Sequence, residues 1–421
     1  MIQTRVCLRV WVRMSIFLCL VFAASSVTAQ EALTLKECYQ LALKRSETVA
    51  INQEILKETE GKFIQSINGV LPQVNYQIEH EWQDRGAAGS GGSRYRRFHF
   101  SQPLFSGFKE YAAISGSKAL RREKENQLER AKQLLFTDVS DAFYYFQSYQ
   151  EDLKAVDAIH QALEDRTKEL TRRNGLGRSR DSEVASAEAS LYKTEAEMED
   201  VRSQMEVSRQ LLEFLIGQTV DSIRDEFVQG DSVPAMNEFT SKADDRPDVK
   251  AAREALTVAS KNVTVARAGF WPTISLGSDL YQLRTGSDSD WNITLDVNVP
   301  LFNGTSTLGL VQQAQSQQRQ ADWILIQAKR KAVLDIQNAY TQWTIGLKKE
   351  LAYKKAAEAS EKNYHLQEAD YKNNLVSNLD VLQELQNMEE AQRNYIVAKN
   401  ESKRFYYNLR VATGDLTHDA I

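Results

Sequence analysis

Apolar and polar positions along this chain follow two periods, and the period switches at matched places. From Leu33 to about Asn68 the apolar residues Leu35, Cys38, Ala42, Val49, Leu56, Phe63 and Ile67 recur at helical spacing. Thr34 followed by Glu37 has the form of a capping box and predicts where that helix starts. From Val74 to Trp82 the period drops to two. Val74, Tyr76, Ile78 and Trp82 share one face, with Asn75, Gln77, Glu79 and Glu81 on the other. A Gly/Ser-rich stretch over 84–93 comes next. Alternation then resumes over 94–104, with Phe98, Phe100 and Leu104 set against Arg97, His99 and Ser101. The pattern predicts a β-hairpin over 74–104.

Phe108 to about Arg173 contains no proline and one glycine, Gly116 near its start, which predicts a helix of about 100 Å. Its seam is a strict heptad: Leu128, Leu135, Ala142, Tyr149, Val156, Leu163 and Leu170, joined by Val139, Phe146 and Leu153. Asn174-Gly175-Leu176-Gly177 breaks it, and a return helix runs over about 181–215. The plan then starts again after a weakly patterned linker, 218–246. Pro247 to Ala268 reads as a helix, and 274–301 as a hairpin with a polar loop at 284–290. Trp291, Ile293, Leu295, Val297 and Val299 alternate with Asn292, Thr294, Asp296 and Asn298. A second long helix covers Thr305 to Lys372, with Leu325, Ala328, Ala332, Ile336, Ala339 and Trp343 on its seam. Asn373-Asn374 breaks it, and a return helix runs from Leu379 to Ala412.

The two halves share landmarks in one order. Gln102-Pro103-Leu104-Phe105-Ser106-Gly107 returns as Val299-Pro300-Leu301-Phe302-Asn303-Gly304, each copy joining a strand to a long helix. At these joints Pro103 and Pro300 are expected to close the strand, and Gly107 and Gly304 to turn the chain. Pro72 returns as Pro272, Gly175-Leu176 as Asn374-Leu375, and Asp181 as Asp380. The chain therefore divides into two structural repeats, 30–217 and 247–421, whose helical hairpins are 108–216 and 305–413.

Composition changes the setting rather than the fold. Arg5, Arg9 and Arg13, the apolar run Met14–Ala24 and Val27-Thr28-Ala29 make residues 1–29 a signal peptide cut before Gln30. Its removal leaves Cys38 as the last of three cysteines, so packing rather than a disulfide must stabilise an exported chain. It also takes the net charge from −5 to about −8, a balance that speaks against a nucleic-acid partner.

The strands have the length and alternation of transmembrane β-strands, about 9–11 residues. Four strands leave open edges that lipid does not tolerate. Three chains sharing one 12-stranded β-barrel remove those edges. The expectation from the residues is a mixed α and β membrane protein, a homotrimer whose barrel is tied to long coiled-coil helices. One alternative is an exported coiled-coil structural protein or periplasmic adaptor. An adaptor would carry a Gly-rich β-domain between its helices, where this chain has only Gly175-Leu176.

These residues together resemble the TolC family of outer-membrane efflux proteins: the duplicated strand–Pro-Leu-Phe–Gly–helix plan, the paired breaks at Gly175-Leu176 and Asn374-Leu375, and the signal peptide. The resemblance covers nearly the whole mature chain. It implies an outer-membrane channel of a tripartite efflux or type I secretion system, its long helices forming an α-helical coiled-coil tunnel continuous with the barrel. Such a channel sits in outer-membrane lipid with a large periplasmic portion, docked to a periplasmic adaptor and an inner-membrane transporter. The resemblance also implies roles for single residues. Asp380 matches an acidic ring at the periplasmic aperture, and the ring's second position is Gln383 here, with Glu384 beside it. Asp181 and Tyr371 match a latch that holds the tip closed. The latch arginine falls on Val376, with Arg178 and Arg180 nearby. Gly175, Leu176, Asn374 and Leu375 are the adaptor-docking tips.

Enzyme chemistry finds no foothold. His80, His99, His160, His365 and His418 are scattered without metal-ligand spacing, and neither a phosphate-binding GxxxxGK[ST] nor a GxSxG is present. No catalytic residue, metal or cofactor is expected.

Overall fold

The computed structural model describes residues 32–84, 90–228, 233–285, 290–373 and 375–416. The expected signal peptide, half of the 84–93 loop, most of the 284–290 loop and Asn374 lie outside the described residues.

The first helical stretch is two helices rather than one, α1 (Leu35–Arg45) and α2 (Glu47–Ile67). The capping box forms as expected: Thr34 N–H donates to Glu37 Oε2 at 2.8 Å and Glu37 N–H to Thr34 Oγ1 at 3.2 Å. Ser46 divides the helical run. Its N–H closes α1 on the Ala42 carbonyl at 2.8 Å, and its Oγ accepts from Val49 N–H at 3.3 Å to start α2. A serine hydroxyl that satisfies the next turn's donor makes leaving the helix cheap. A heptad count does not register that competition.

Strands β1 (Gln73–Asp84) and β2 (Ser90–Ser106) form the first hairpin, and β3 (Thr273–Arg284) and β4 (Trp291–Asn298) the second. They make one antiparallel sheet in the order β1-β2-β3-β4, so β2 and β3 join the two halves. Pro103 does not end its strand. β2 runs on to Ser106 because the register shifts between Pro103, opposite Ser275, and Phe105, opposite Ile274. A bulge is where a strand tolerates a residue without a donor. β4 stops at Asn298, short of the expected Leu301 and before Pro300.

Gly107 turns the chain with φ +65°, and an added Cβ there would lie 2.7 Å from the Trp271 Cβ, so only glycine fits. Gly304 has φ +67° in open space. From these joints run α3 (Lys109–Gly175) and, later, α7 (Ser306–Lys372), 67 residues each. Their return helices α4 (Asp181–Ile216) and α8 (Asn378–Thr413) have 36 residues each. Between the halves lie the short α5 (Met236–Thr240) and α6 (Pro247–Arg267), the latter equal to α2 at 21 residues.

The stretch read as a weakly patterned linker is packed against the helices. Val220 is buried, Leu33 bridges to Ile223, and Asp225 takes an ion pair from Lys403 and a hydrogen bond from Tyr144 at 3.1 Å. Its Val220 and Ile223 join the core formed by Cys38, Phe136, Phe143 and Leu212. A second core gathers Ala332, Ile336, Trp343 and Leu409. Aromatic rings bridge the two: Phe136 to Tyr407 at 5.5 Å, Tyr407 to Tyr406 at 5.5 Å, and Tyr406 to Trp343 at 5.7 Å. Arg246, 1% exposed, enters the second core and pairs with Asp248 at 2.7 Å and Asp335 at 3.2 Å.

Candidate gate at the helical tips

Both long helices leave the sheet with equal lengths, which places the two turns together at the far tip. At the first turn the residue with positive φ is Gly177 (+69°); Gly175 is still helical. Asn174 Nδ2 donates to Asp181 Oδ1 at 2.8 Å and to the Ser179 carbonyl at 3.1 Å, which folds the turn back on itself. Glu183 accepts from Ser179 Oγ and the Arg180 N–H, and these bonds hold its pKa below the ordinary value.

The second turn is built differently. Ser377 caps α8, and Asp380 Oδ2 accepts from the Ser377 N–H at 2.8 Å and from its Oγ at 2.7 Å. Those bonds lower the pKa of Asp380 and keep it ionised at an exposed position. Leu176 and Leu375 are exposed at the ends of their turns.

Tyr371 is buried between two cations of α3. The Arg166 guanidinium lies 3.9 Å and that of Arg173 5.0 Å from its ring centroid. Arg166 Nε also donates to Asn378 Oδ1 at 2.8 Å, so one side chain holds both helices of the second hairpin. The family resemblance put the latch arginine at Val376, which carries no charge, with Arg178 and Arg180 nearby. The signal for Arg166 and Arg173 was their seven-residue spacing, each three residues after a seam leucine, Leu163 and Leu170. Asp181 does not join this cluster; its hydrogen-bond partner is Asn174 of its own turn.

A second ionic cluster begins at Glu389, about 17 Å from the α8 start at 1.5 Å per residue. Arg393 of α8 reaches Asp152 of α3 at 2.9 and 3.2 Å, Glu197 of α4 at 3.5 Å and Glu389 at 3.7 Å. It borders a cavity of about 490 Å³ that Lys193 and Glu390 also line. Burial and the neighbouring Glu197 carboxyl push Glu389 up to about 7, against the pull of Arg393 and Lys193. No sequence pattern announced this cluster, because its members come from three helices.

At the other end the sheet has two unlike faces. Val74, Tyr76 and Ile78 of β1 pair with Phe100, Phe98 and Arg96; Leu280 pairs with Trp291 and Leu276 with Leu295. Most of these apolar side chains are exposed. The opposite face is polar. There Asp279 meets Arg97 at 3.0 Å and His99 at 2.7 Å, and Arg97 Nε donates to Gln77 at 2.8 Å. Among the described residues no helix is long and apolar enough to cross a membrane. One bare apolar surface lies on the sheet.

Long helical hairpins hung from a sheet with one bare apolar face and one polar face define a protein of the export-channel class. A family model described as outer membrane efflux protein matches residues 38–218 and 241–415, most of the chain, and the chain belongs to that family. Its place is the outer membrane. Over 375 residues, 85% of each protein, it is 22% identical to the outer membrane protein TolC of Vibrio cholerae. The solved structure of CusC superposes with a TM-score of 0.82 at 17% identity, covering 90% of this chain and 92% of that one. The outer membrane protein VceC of Vibrio cholerae gives 0.81 at 19% identity, covering 90% and 96%. These two likenesses concern the fold. Members of the family are channels rather than enzymes.

Proposed function

We propose that three copies of this chain close their sheets into one 12-stranded barrel in the outer membrane and their helices into one periplasmic tunnel. The observation that carries this reading is the pair of open edges, β1 and β4, on a sheet whose apolar face is bare. Unpaired backbone groups in lipid cost several kcal/mol each, and pairing β1 of one copy with β4 of the next removes them. The outer side of α7 supports the same assembly, since Trp323, Ile324, Leu334 and Ile345 on it are exposed. Residues 1–29 direct export, and 30–217 and 247–421 act as the two repeats around the 218–246 linker.

The channel serves a tripartite efflux or type I secretion system. A periplasmic adaptor docks at the tips, through Gly175, Leu176, Asn374 and Leu375, and an inner-membrane transporter loads the tunnel. Tyr371 with Arg166 and Arg173 holds the second hairpin closed against the first, Asp181 stiffens the neighbouring turn, and three copies of Asp380 ring the aperture as a cation-attracting site. The periplasmic-adaptor reading of the chain itself loses ground because α3 passes to α4 through residues 176–180, with no β-domain inserted.

Chemical cross-linking of intact cells followed by membrane fractionation tests the assembly. The expected result is a trimer band in the outer-membrane fraction that resists detergent. A monomer in the soluble periplasm would overturn the barrel.

A further inference from the structure

The apolar face of the sheet ends in cations. On β1 that face carries Val74, Tyr76, Ile78, His80 and Trp82, and the register places Arg96 opposite Ile78 and Arg94 opposite His80. Contacts fix the faces. Tyr76 lies 4.9 Å from Phe98 on the apolar side and His80 5.9 Å from Trp82, while Arg97 meets Gln77 and Tyr95 meets Glu79 on the polar side. Arg94 and Arg96 therefore point the same way as the apolar band. Both are exposed, and among the described residues neither guanidinium has an ion pair or side-chain hydrogen bond. The acids of this hairpin whose side chains are described, Glu79 and Glu81, lie on the other face with Tyr95 and Ser93.

Depth gives these arginines a meaning. Arg96 is ten residues from Ser106, the sheet end next to the helices, or about 33 Å along a strand. A tilt of about 45° brings this to roughly 24 Å above the joint, close to the height of the apolar band on an outer-membrane barrel, about 25 Å. Unpaired guanidinium groups at the far rim of that band, beside Trp82 at 79% exposed, face the headgroups of the outer leaflet. Arginine's planar fork matches phosphate oxygens in pairs.

We infer that Arg94 and Arg96, with His80 and Trp82 beside them, form a binding site for the phosphorylated headgroup of an outer-leaflet lipid, on the outside of the barrel. This rests on the barrel reading above. Trp82, opposite Gly92 and so farther out than both arginines, would lay its ring among the headgroups while the two arginines hold phosphate, which anchors the outer rim and fixes how far the sheet sits in the membrane.

The test uses the full-length protein reconstituted into vesicles of zwitterionic phospholipid containing either phosphorylated lipid A or its dephosphorylated form. Lipid retained after detergent extraction is counted by native mass spectrometry. Bromine on the acyl chains reports, through tryptophan quenching, whether the sheet is inserted. Wild type should retain phosphorylated lipid A about tenfold over the dephosphorylated form, a preference that Arg94→Gln/Arg96→Gln loses while quenching is unchanged. Arg94→Lys/Arg96→Lys should retain an intermediate amount, and free inorganic phosphate should not displace the lipid. Equal retention of both lipids, or an unaltered preference in the Gln double variant, with quenching intact, would overturn the headgroup site alone. Absence of quenching in wild type would overturn the barrel and the site together.

Discussion

The two halves of this chain have the same parts and use them differently. α3 and α7 are both 67 residues long, yet α3 is buried along much of its length while α7 is largely bare. Phe136, Phe143 and Phe146 of α3 are enclosed by α1, α4 and the returning linker. On α7 Trp323 stands 69% exposed. Duplication copied the element lengths, but only the first copy received α1 and the 217–228 strap as a cover. The uncovered copy is the one that needs a neighbour, and in the proposed trimer a second chain covers it.

The largest effect should separate the halves directly. Phe136→Ala opens a cavity in the enclosed core and should cost about 3–5 kcal/mol, read as a fall in the thermal midpoint. A loss below about 1 kcal/mol would mean that the first half is no better packed than the second.

Next comes the ionic cluster that ties α8 to α3 and α4. The folded pKa of Glu389 is raised above its ordinary 4.5 to about 7. The stability it contributes is therefore complete below about pH 4.5 and is lost as pH rises through about 7. The loss is a few kcal/mol at most, since each pKa unit is worth roughly 1.4 kcal/mol. Glu389→Gln, which cannot ionise, should flatten this part of the stability–pH curve measured by denaturant titration. If the variant keeps the wild-type slope between about pH 5 and 8, Glu389 is not the titrating group.

At the tip, Tyr371→Ala removes the ring held by Arg166 and Arg173, worth about 1–2 kcal/mol, and should raise single-channel conductance in planar bilayers. Asp380→Ala costs about 1 kcal/mol of helix capping and should lower cation preference, most at low salt where screening is weak. Unchanged conductance and unchanged reversal potential would remove the gate from these residues while leaving the channel in place.

The smallest effect on the single chain is the most informative about assembly. Trp323→Ser lies on the bare side of α7 and should change the stability of the isolated fold by less than about 0.5 kcal/mol. The same change should reduce detergent-resistant trimer in the cross-linking assay. A large loss of monomer stability instead would show that α7 is covered within its own chain.

By itself, the sequence determined the elements. Period-two runs became strands, the heptads at Leu135, Ala142, Val156, Leu163 and Leu170 became a buried seam, and Pro72, Gly107 and the two tip breaks fell at turns. These are local consequences of side-chain spacing and backbone freedom, which each segment carries with it. Tyr371, Asp181 and Asp380 were given their roles at the tip by the family resemblance rather than by any pattern of their own. Tertiary structure decided the pairing. Pro103 stays in a strand because β2 bulges there against β3, Ser46 splits a helix that its apolar spacing would continue, and the supposed linker packs because Tyr144 and Lys403 reach Asp225. Arg166 meets Tyr371 across some 205 positions of sequence, and Arg393 meets Asp152 across 241. The seven-residue spacing of Arg166 and Arg173 places them on one face but names no partner. Which partner each one finds depends on how the two hairpins lie against each other, and only the packed chain sets that.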